Sequence, residues 1–248
     1  MKIAAKTTIN GLLNFNKPRD ITSHDLVIAV RRITGVRKVG HTGTLDPFAT
    51  GVMVICLGNA TKLSRELTGK RKTYYGRMRL GVRTDSHDGT GKVLSTVDSF
   101  QVDRDQILRV LEEFVGEIEQ IPPMFSAVKY QGKPLYKLAR KGIVVERQPK
   151  LVNIYRLELK KIDGKYIEFE AETSAGTYIR TLCDSIGERL GCGAYLSELT
   201  RTCVGEFTLD DSLTLEEFRE IMKGGGLEKV LIPIENYPAL ALKDGKYK

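Results

Sequence analysis

Few residues in this chain could hold a metal or form a redox pair. Its four cysteines, Cys56, Cys183, Cys192 and Cys203, include no CxxC pair, and only three histidines could complete a site. The expectation is buried thiols in a reducing compartment, with no metal and no redox role. Long apolar runs are missing too. The longest uncharged stretch, Pro47 to Thr61, is too short and too polar to span a bilayer. Met1-Lys2-Ile3-Ala4-Ala5-Lys6 lacks the apolar stretch of a signal peptide. This reads as a soluble, cytoplasmic protein. There is no internal repeat and no low-complexity linker, and Gly224-Gly225-Gly226 is the one flexible break.

With 248 residues, 41% hydrophobic and 28% charged, the chain has ordinary globular composition and enough length to bury a core as one large or two small domains. The net charge of +8 is unevenly spread. Residues 1–38 hold eight Lys/Arg against two acids, residues 61–83 eight against one, and residues 129–150 seven against one, so the rest of the chain is acidic. Solvation alone would intersperse the signs, whereas basic islands on an acidic background point to a polyanion such as nucleic acid.

Gly11 to Asn16 reads as a strand ending at Lys17-Pro18, after which Thr22 or Ser23 caps a helix through Val27, Ile28, Val30 and Ile33. Val52 to Leu57 looks like a buried strand, residues 59–68 a helix, and Tyr74 to Leu80 a strand. Asp103 and Gln106 form a capping box for a helix carrying Ile107, Val110, Leu111 and Phe114. Pro122-Pro123 opens a basic, loop-rich segment. Residues 150–161 and 165–173 form a hairpin turned at Asp163-Gly164. A helix over Tyr178–Leu190, a strand near 194–203 and an acidic helix near 214–222 follow. The pattern predicts an α+β fold with a mixed, largely antiparallel sheet.

The most informative segment is Gly40-His41-Thr42-Gly43-Thr44-Leu45-Asp46-Pro47-Phe48-Ala49-Thr50-Gly51. One carboxylate and one imidazole share a glycine-punctuated loop that lacks hydrophobic periodicity and so reads as lying outside the core. On its own the loop reads as a surface turn in which Asp46 makes a local side-chain bond, since polar loops outnumber active sites. Three other motifs lead nowhere. Ser23-His24-Asp25 cannot adopt triad geometry as adjacent residues and is better read as a helix start. Asp85-Ser86-His87-Asp88-Gly89 lacks the spaced acids of a calcium loop, and Gly89-Thr90-Gly91-Lys92-Val93 lacks the first glycine and the Ser/Thr of a P-loop.

Taken together, four segments resemble the TruB family of tRNA pseudouridine synthases, and the match covers nearly the whole chain. They are the Gly40–Gly51 loop, Lys72-Thr73-Tyr74, Pro122 to Lys129 continuing through Gly132, Tyr136, Ala139 and Arg140, and Gly176-Thr177-Tyr178-Ile179-Arg180-Thr181-Leu182. The resemblance implies the pseudouridine-synthase fold, with a basic flap over 122–150 that closes on RNA. It places Asp46 as nucleophile, Tyr74 stacked on the flipped uracil, Arg180 paired with Asp46, and His41 filling the vacated base stack. It assigns RNA contacts to Lys17, Lys129, Tyr136, Arg140, Leu199 and Arg201. The chain departs from the family pattern at Asp20, where a glycine is usual, and at Thr200, where paired arginines are usual.

Residues 1–234 are expected to form the catalytic domain, with 235–248 a short tail where a PUA domain would normally begin. The implied activity is isomerisation of the T-loop uridine at tRNA position 55, without cofactor or metal. The expected enzyme is a monomer acting on the tRNA T-arm, with no membrane and no obligatory protein partner. The reaction breaks the N-glycosidic bond, rotates the uracil and rejoins it through carbon 5, so it needs a carboxylate that is ionised at neutral pH and can act as a nucleophile. Alternative readings are a tRNA-folding chaperone, a guide-RNA-directed synthase of the H/ACA type, and an RNA hydrolase.

Overall fold

The computed structural model describes residues 9–234, which fall into two compact units: residues 9–72 with 200–234, and residues 73–199. The first unit begins with β1 (Gly11–Lys17), α1 (Ser23–Thr34), β2 (Val39–His41), β3 (Thr50–Leu57), a 3₁₀ segment (Gly58–Leu63) and α2 (Ser64–Gly69). The chain enters the second unit at the start of β4 (Lys72–Leu80). It continues through β5 (Val82–Thr84), β6 (Val93–Thr96), α3 (Arg104–Glu113), β7 (Gly116–Gln120), β8 (Lys129–Tyr130), β9 (Lys133–Pro134), α4 (Leu135–Ala139), β10 (Lys150–Asp163), β11 (Tyr166–Thr173) and α5 (Ile179–Arg189). It returns within β12 (Ala194–Val204), and β13 (Phe207–Thr208), α6 (Leu215–Lys223) and a 3₁₀ turn at Leu227–Lys229 complete the first unit.

In the first unit β3 runs antiparallel to β1, from Gly11↔Leu57 to Lys17↔Gly51, and parallel to β12 at Thr200↔Thr50 and Arg201↔Gly51. A strand covered on both faces needs an unbroken apolar run, and Val52-Met53-Val54-Ile55-Cys56-Leu57 supplies one, every residue of it buried. On one face Val52, Val54 and Cys56 share a core with Leu12, Ala60, Leu63, Leu67, Val204 and Phe207. Phe218 of α6 meets Phe15 of β1 edge to face, ring centroids 5.1 Å apart. Thr22 caps α1 through a reciprocal box with Asp25, and Gly35 ends the helix in the left-handed region at φ +68°.

In the second unit the strand order is β12-β4-β11-β10-β7. β10 pairs antiparallel with both β11 and β7, and the β10–β11 hairpin turns at Asp163-Gly164 as the sequence predicts. The Asp103/Gln106 capping box starts α3. Gly187 of α5 lets the helix lie directly on the chain at Ala194, since a Cβ there would come within 2.1 Å of the Ala194 nitrogen. The fold is α+β with a mixed, largely antiparallel sheet, as expected.

Three local readings are corrected. The helix expected over 59–68 is a 3₁₀ segment followed by a short α-helix. Thr61 donates its hydroxyl to the Gly58 carbonyl and Ser64 donates to that of Thr61, side-chain bonds that compete with a regular helix. Strand β7 was not anticipated, because Gly-Glu-Ile-Glu-Gln carries only one apolar residue and becomes a strand by pairing with β10. The Asp46 loop does enter the core: Leu45, Phe48 and Ala49 are buried, and His41 ends a strand rather than opening the loop.

Candidate active site

The first unit holds Asp46, His41, Lys17 and Arg201. Asp46 is half-buried on a loop tied down at several backbone points. The Thr42 N–H donates to the Val54 carbonyl at 3.1 Å, the Asp20 N–H to the Pro47 carbonyl at 2.8 Å, and the Ala49 N–H to the Asp46 carbonyl at 3.1 Å.

Arg201 reaches the loop from β12, where it is 1% exposed. Its Nε donates to the Val52 carbonyl at 2.7 Å and its Nη2 to the Gly43 carbonyl at 3.2 Å. Gly51 makes this approach possible at φ +104°, because a Cβ there would stand 2.2 Å from the Arg201 carbonyl oxygen.

Lys17, assigned by resemblance to RNA, has no exposed surface. Its ammonium donates to the carbonyls of Pro18 (2.8 Å), Ile21 (2.9 Å) and Pro47 (3.2 Å), so all three N–H donors are spent inside the protein. Lys17 is a buried clasp on the residue after Asp46 and not a phosphate contact. Burial lowers its pKa to about 8, opposed by the charges of Asp20 and Asp46 and reinforced by Arg201, which places all three groups within electrostatic reach.

Between pH 8 and 10.5 the unfolded chain holds a proton that the folded one lacks, so stability rises with pH in that window. The unfolding free energy of wild type relative to Lys17→Met is therefore expected to shift in favour of wild type between pH 7.5 and pH 10 in urea titrations. A shift the other way would show that the ammonium–carbonyl bonds outweigh desolvation.

His41 accepts the Gly43 N–H on Nδ1 at 3.3 Å, which requires an unprotonated Nδ1. Burial, then the charges of Arg201 and His24, lower its pKa in agreement with that geometry. A neutral, planar ring is what base-stack filling asks for.

Asp20 and Thr200, the two departures from the family pattern, each have defined local geometry. Asp20 adopts φ +66°, the left-handed conformation a glycine would take, and its N–H still bonds Pro47, so the turn is kept. The Thr200 hydroxyl lies 2.9 Å from that of Thr50 and stitches β12 to β3.

The second unit holds Tyr74, Arg180, Leu199, Lys129, Tyr136 and Arg140. Tyr74 is 8% exposed on β4, and Leu199 is buried on β12. Arg180, in the first turn of α5 and 3% exposed, donates to the carbonyls of Ser86 (3.3 Å) and Phe125 (2.6 Å). Its guanidinium also sits 5.8 Å from the Tyr178 ring. Tyr178 offers no side-chain cap to α5, but its backbone is held by Gln120, whose Oε1 accepts the Tyr178 N–H at 2.7 Å and whose Nε2 donates to the Tyr178 carbonyl at 3.1 Å. Nothing in the sequence around Gln120 signals that role, since its partner lies 58 residues away.

In the flap, Lys129 and Arg140 are exposed and Tyr136 is half-buried. The Arg140 guanidinium lies 5.6 Å from the Tyr136 ring, a stacked cation of the kind that nucleic-acid sites use. In the Asp85–Gly91 loop, Asp88 accepts the hydroxyls of Ser86 and Thr90 and the Thr90 N–H. Among the described residues no group of His, Cys, Asp or Glu side chains gathers as a metal site, and no helix is long and apolar enough to cross a membrane. Cys56, Cys183 and Cys192 are buried thiols.

Comparison with known proteins adds to this geometry. Residues 31–179 match the family model described as TruB family pseudouridylate synthase (N terminal domain), and residues 180–237 match the tRNA pseudouridylate synthase B C-terminal domain. The tRNA pseudouridine synthase B of Geobacillus thermodenitrificans is 48% identical over 235 residues, covering 92% of this chain and 78% of that protein. That of Clostridium tetani is 45% identical over 227 residues, covering 92% and 77%. Among solved structures, a Cbf5-Nop10-Gar1 complex contains a chain with a TM-score of 0.70 at 33% identity, covering 89% of this chain. This chain spans 57% of that one.

Proposed function

Because the chain belongs to the TruB family of pseudouridylate synthases, we propose that it acts on tRNA, isomerising the T-loop uridine at position 55 to pseudouridine with Asp46 as the essential carboxylate. The observation that carries the site reading is the loop itself. Asp46 stands on a backbone held at Gly43 by Arg201 and at Pro47 by Lys17, two buried cations that would have no reason to converge on an ordinary surface turn.

The target base is extruded from folded RNA at a cost of about a few kcal/mol, least where the base is already loosely stacked. Tyr74 stacks on the extruded uracil, His41 fills the gap it leaves, and Arg180 supplies positive potential from the first turn of α5. Asp46 engages the detached sugar or base while the uracil rotates, and the new bond to carbon 5 releases the hydrogen it carried. Arg201 acts by holding the loop, and Leu199 gives the base an apolar wall. The enzyme works as a cytoplasmic monomer on the T-arm without a cofactor, and residues 1–234 make up the catalytic domain. The short tail expected over residues 235–248 lies outside the described residues.

The purified protein, without additives, is therefore expected to release about one equivalent of tritium from a tRNA transcript labelled at uridine carbon 5. Activity only after adding guide RNA and partner proteins would favour a guide-RNA-directed synthase. Strand scission in the treated RNA would favour a hydrolase.

The flap makes its own prediction. Lys129→Ala and Arg140→Ala should each weaken tRNA binding and reduce the slope of log K against log salt by about 1, as expected for one phosphate contact each. Slopes identical to wild type in both variants would remove these residues from the RNA interface.

A further inference from the structure

Ser23 opens α1 and points inward, with 3% of its surface exposed. Its hydroxyl donates to the Leu45 carbonyl at 3.1 Å and accepts the Leu45 N–H at 2.9 Å, bridging 22 residues of sequence. One side chain thus satisfies both backbone groups of the residue immediately before Asp46. The Leu45 carbonyl belongs to the peptide unit that carries the Asp46 nitrogen, so that plane cannot rotate while the bond stands.

On the other side, the Asp46 carbonyl is held by Ala49, the Pro47 ring fixes its own φ, and the Pro47 carbonyl is held by Asp20 and Lys17. Both peptides flanking Asp46 are therefore clamped.

The helix start does not need this serine. Thr22 is the cap, and its hydroxyl and backbone pair with Asp25 in the capping box. His24 and Asp25 face solvent, so the Ser-His-Asp run divides into one inward clasp and two exposed helix-start residues.

We propose that Ser23 is a positioning residue, which holds the Leu45–Asp46 peptide so that the carboxylate meets the substrate in a single orientation. The proposal rests on Asp46 being the reacting carboxylate. Chemistry that depends on a fixed near-attack geometry loses up to about 100-fold in rate for a displacement near 1 Å. Losing the hydroxyl frees the peptide without touching any group that binds RNA.

The test is single-turnover tritium release at saturating tRNA, with tRNA affinity and urea unfolding measured on the same proteins. Ser23→Ala is expected to slow release by about 10- to 100-fold while tRNA affinity stays within about twofold. Thr22→Ala, which removes the helix cap but not the clasp on Leu45, is expected to lower the urea midpoint and leave the rate unchanged. A Ser23→Ala rate within about threefold of wild type would overturn the proposal. So would an equal slowing by Thr22→Ala, or a loss of rate that merely follows a loss of affinity. Tritium release at the wild-type rate by Asp46→Asn would instead overturn the assignment of Asp46, which keeps the two failures distinct.

Discussion

Asp46→Asn is expected to abolish tritium release, with a loss of about 10⁴-fold or more, the scale seen when a catalytic nucleophile is removed. Asparagine keeps the size of the side chain and its capacity to accept a hydrogen bond but removes the charge and the nucleophilic oxygen. The backbone clamps at Gly43 and Pro47 do not involve the carboxylate, so the loop should stay in place. Filter binding should accordingly show tRNA affinity close to wild type, which makes the variant a trap for bound, unreacted RNA. The same protein decides between enzyme and chaperone. If tRNA folding were the main activity, Asp46→Asn would retain it, and a parallel loss of folding and modification would count against the chaperone. Release within about tenfold of wild type would mean that another group does the chemistry.

Gly51→Ala is expected to destabilise the protein by about 3 kcal/mol or more, among the largest effects of any single methyl group in this chain. Two penalties combine. The residue has φ +104°, a conformation L side chains rarely adopt, and the added Cβ would lie 2.2 Å from the carbonyl oxygen and 2.7 Å from the nitrogen of Arg201. The obstacle is backbone on a paired strand, so it cannot swing aside as a side chain would.

Relief requires β12 to move away from β3 at the Thr200↔Thr50 and Arg201↔Gly51 pairs, which would loosen the Arg201 bond to Gly43 and with it the Asp46 loop. Urea unfolding should show the loss of stability, and the folded fraction should turn over more slowly. Gly142→Ala is the control: its φ of +71° is also left-handed, but no atom lies within 4 Å of the added Cβ, so only the conformational cost of about 1 kcal/mol applies. Equal destabilisation by both variants would show that strain alone, and not the Arg201 contact, sets the requirement at Gly51.

The candidate site was partly legible in the sequence. Asp46 stands out in its glycine-punctuated loop, whereas Tyr74 and Arg180 are singled out by the resemblance of their segments to the TruB family. The charged flap announces itself through Lys129, Tyr136 and Arg140 in one short stretch. Lys17 illustrates the limit. The resemblance assigns it to RNA, yet it is enclosed by three carbonyls, one of them 30 residues away. The depth at which Leu45 and Phe48 sit was hidden for a related reason, since a loop buries side chains without any helical or strand periodicity to reveal it.

What the sequence determined by itself is therefore what neighbours along the chain decide. The Thr22, Asp103 and Thr214 capping boxes, the turn at Asp163-Gly164 and the apolar run of β3 all act over a few residues. The tertiary structure decided the rest. Asp20 takes a glycine's conformation, Gln120 holds the backbone of Tyr178 at the start of α5 from 58 residues away, and Arg201 grips carbonyls 149 and 158 residues distant. A backbone carbonyl looks the same in every sequence. Which buried donor satisfies it depends only on what folding brings within 3 Å, and that is where the geometry around Asp46 is set.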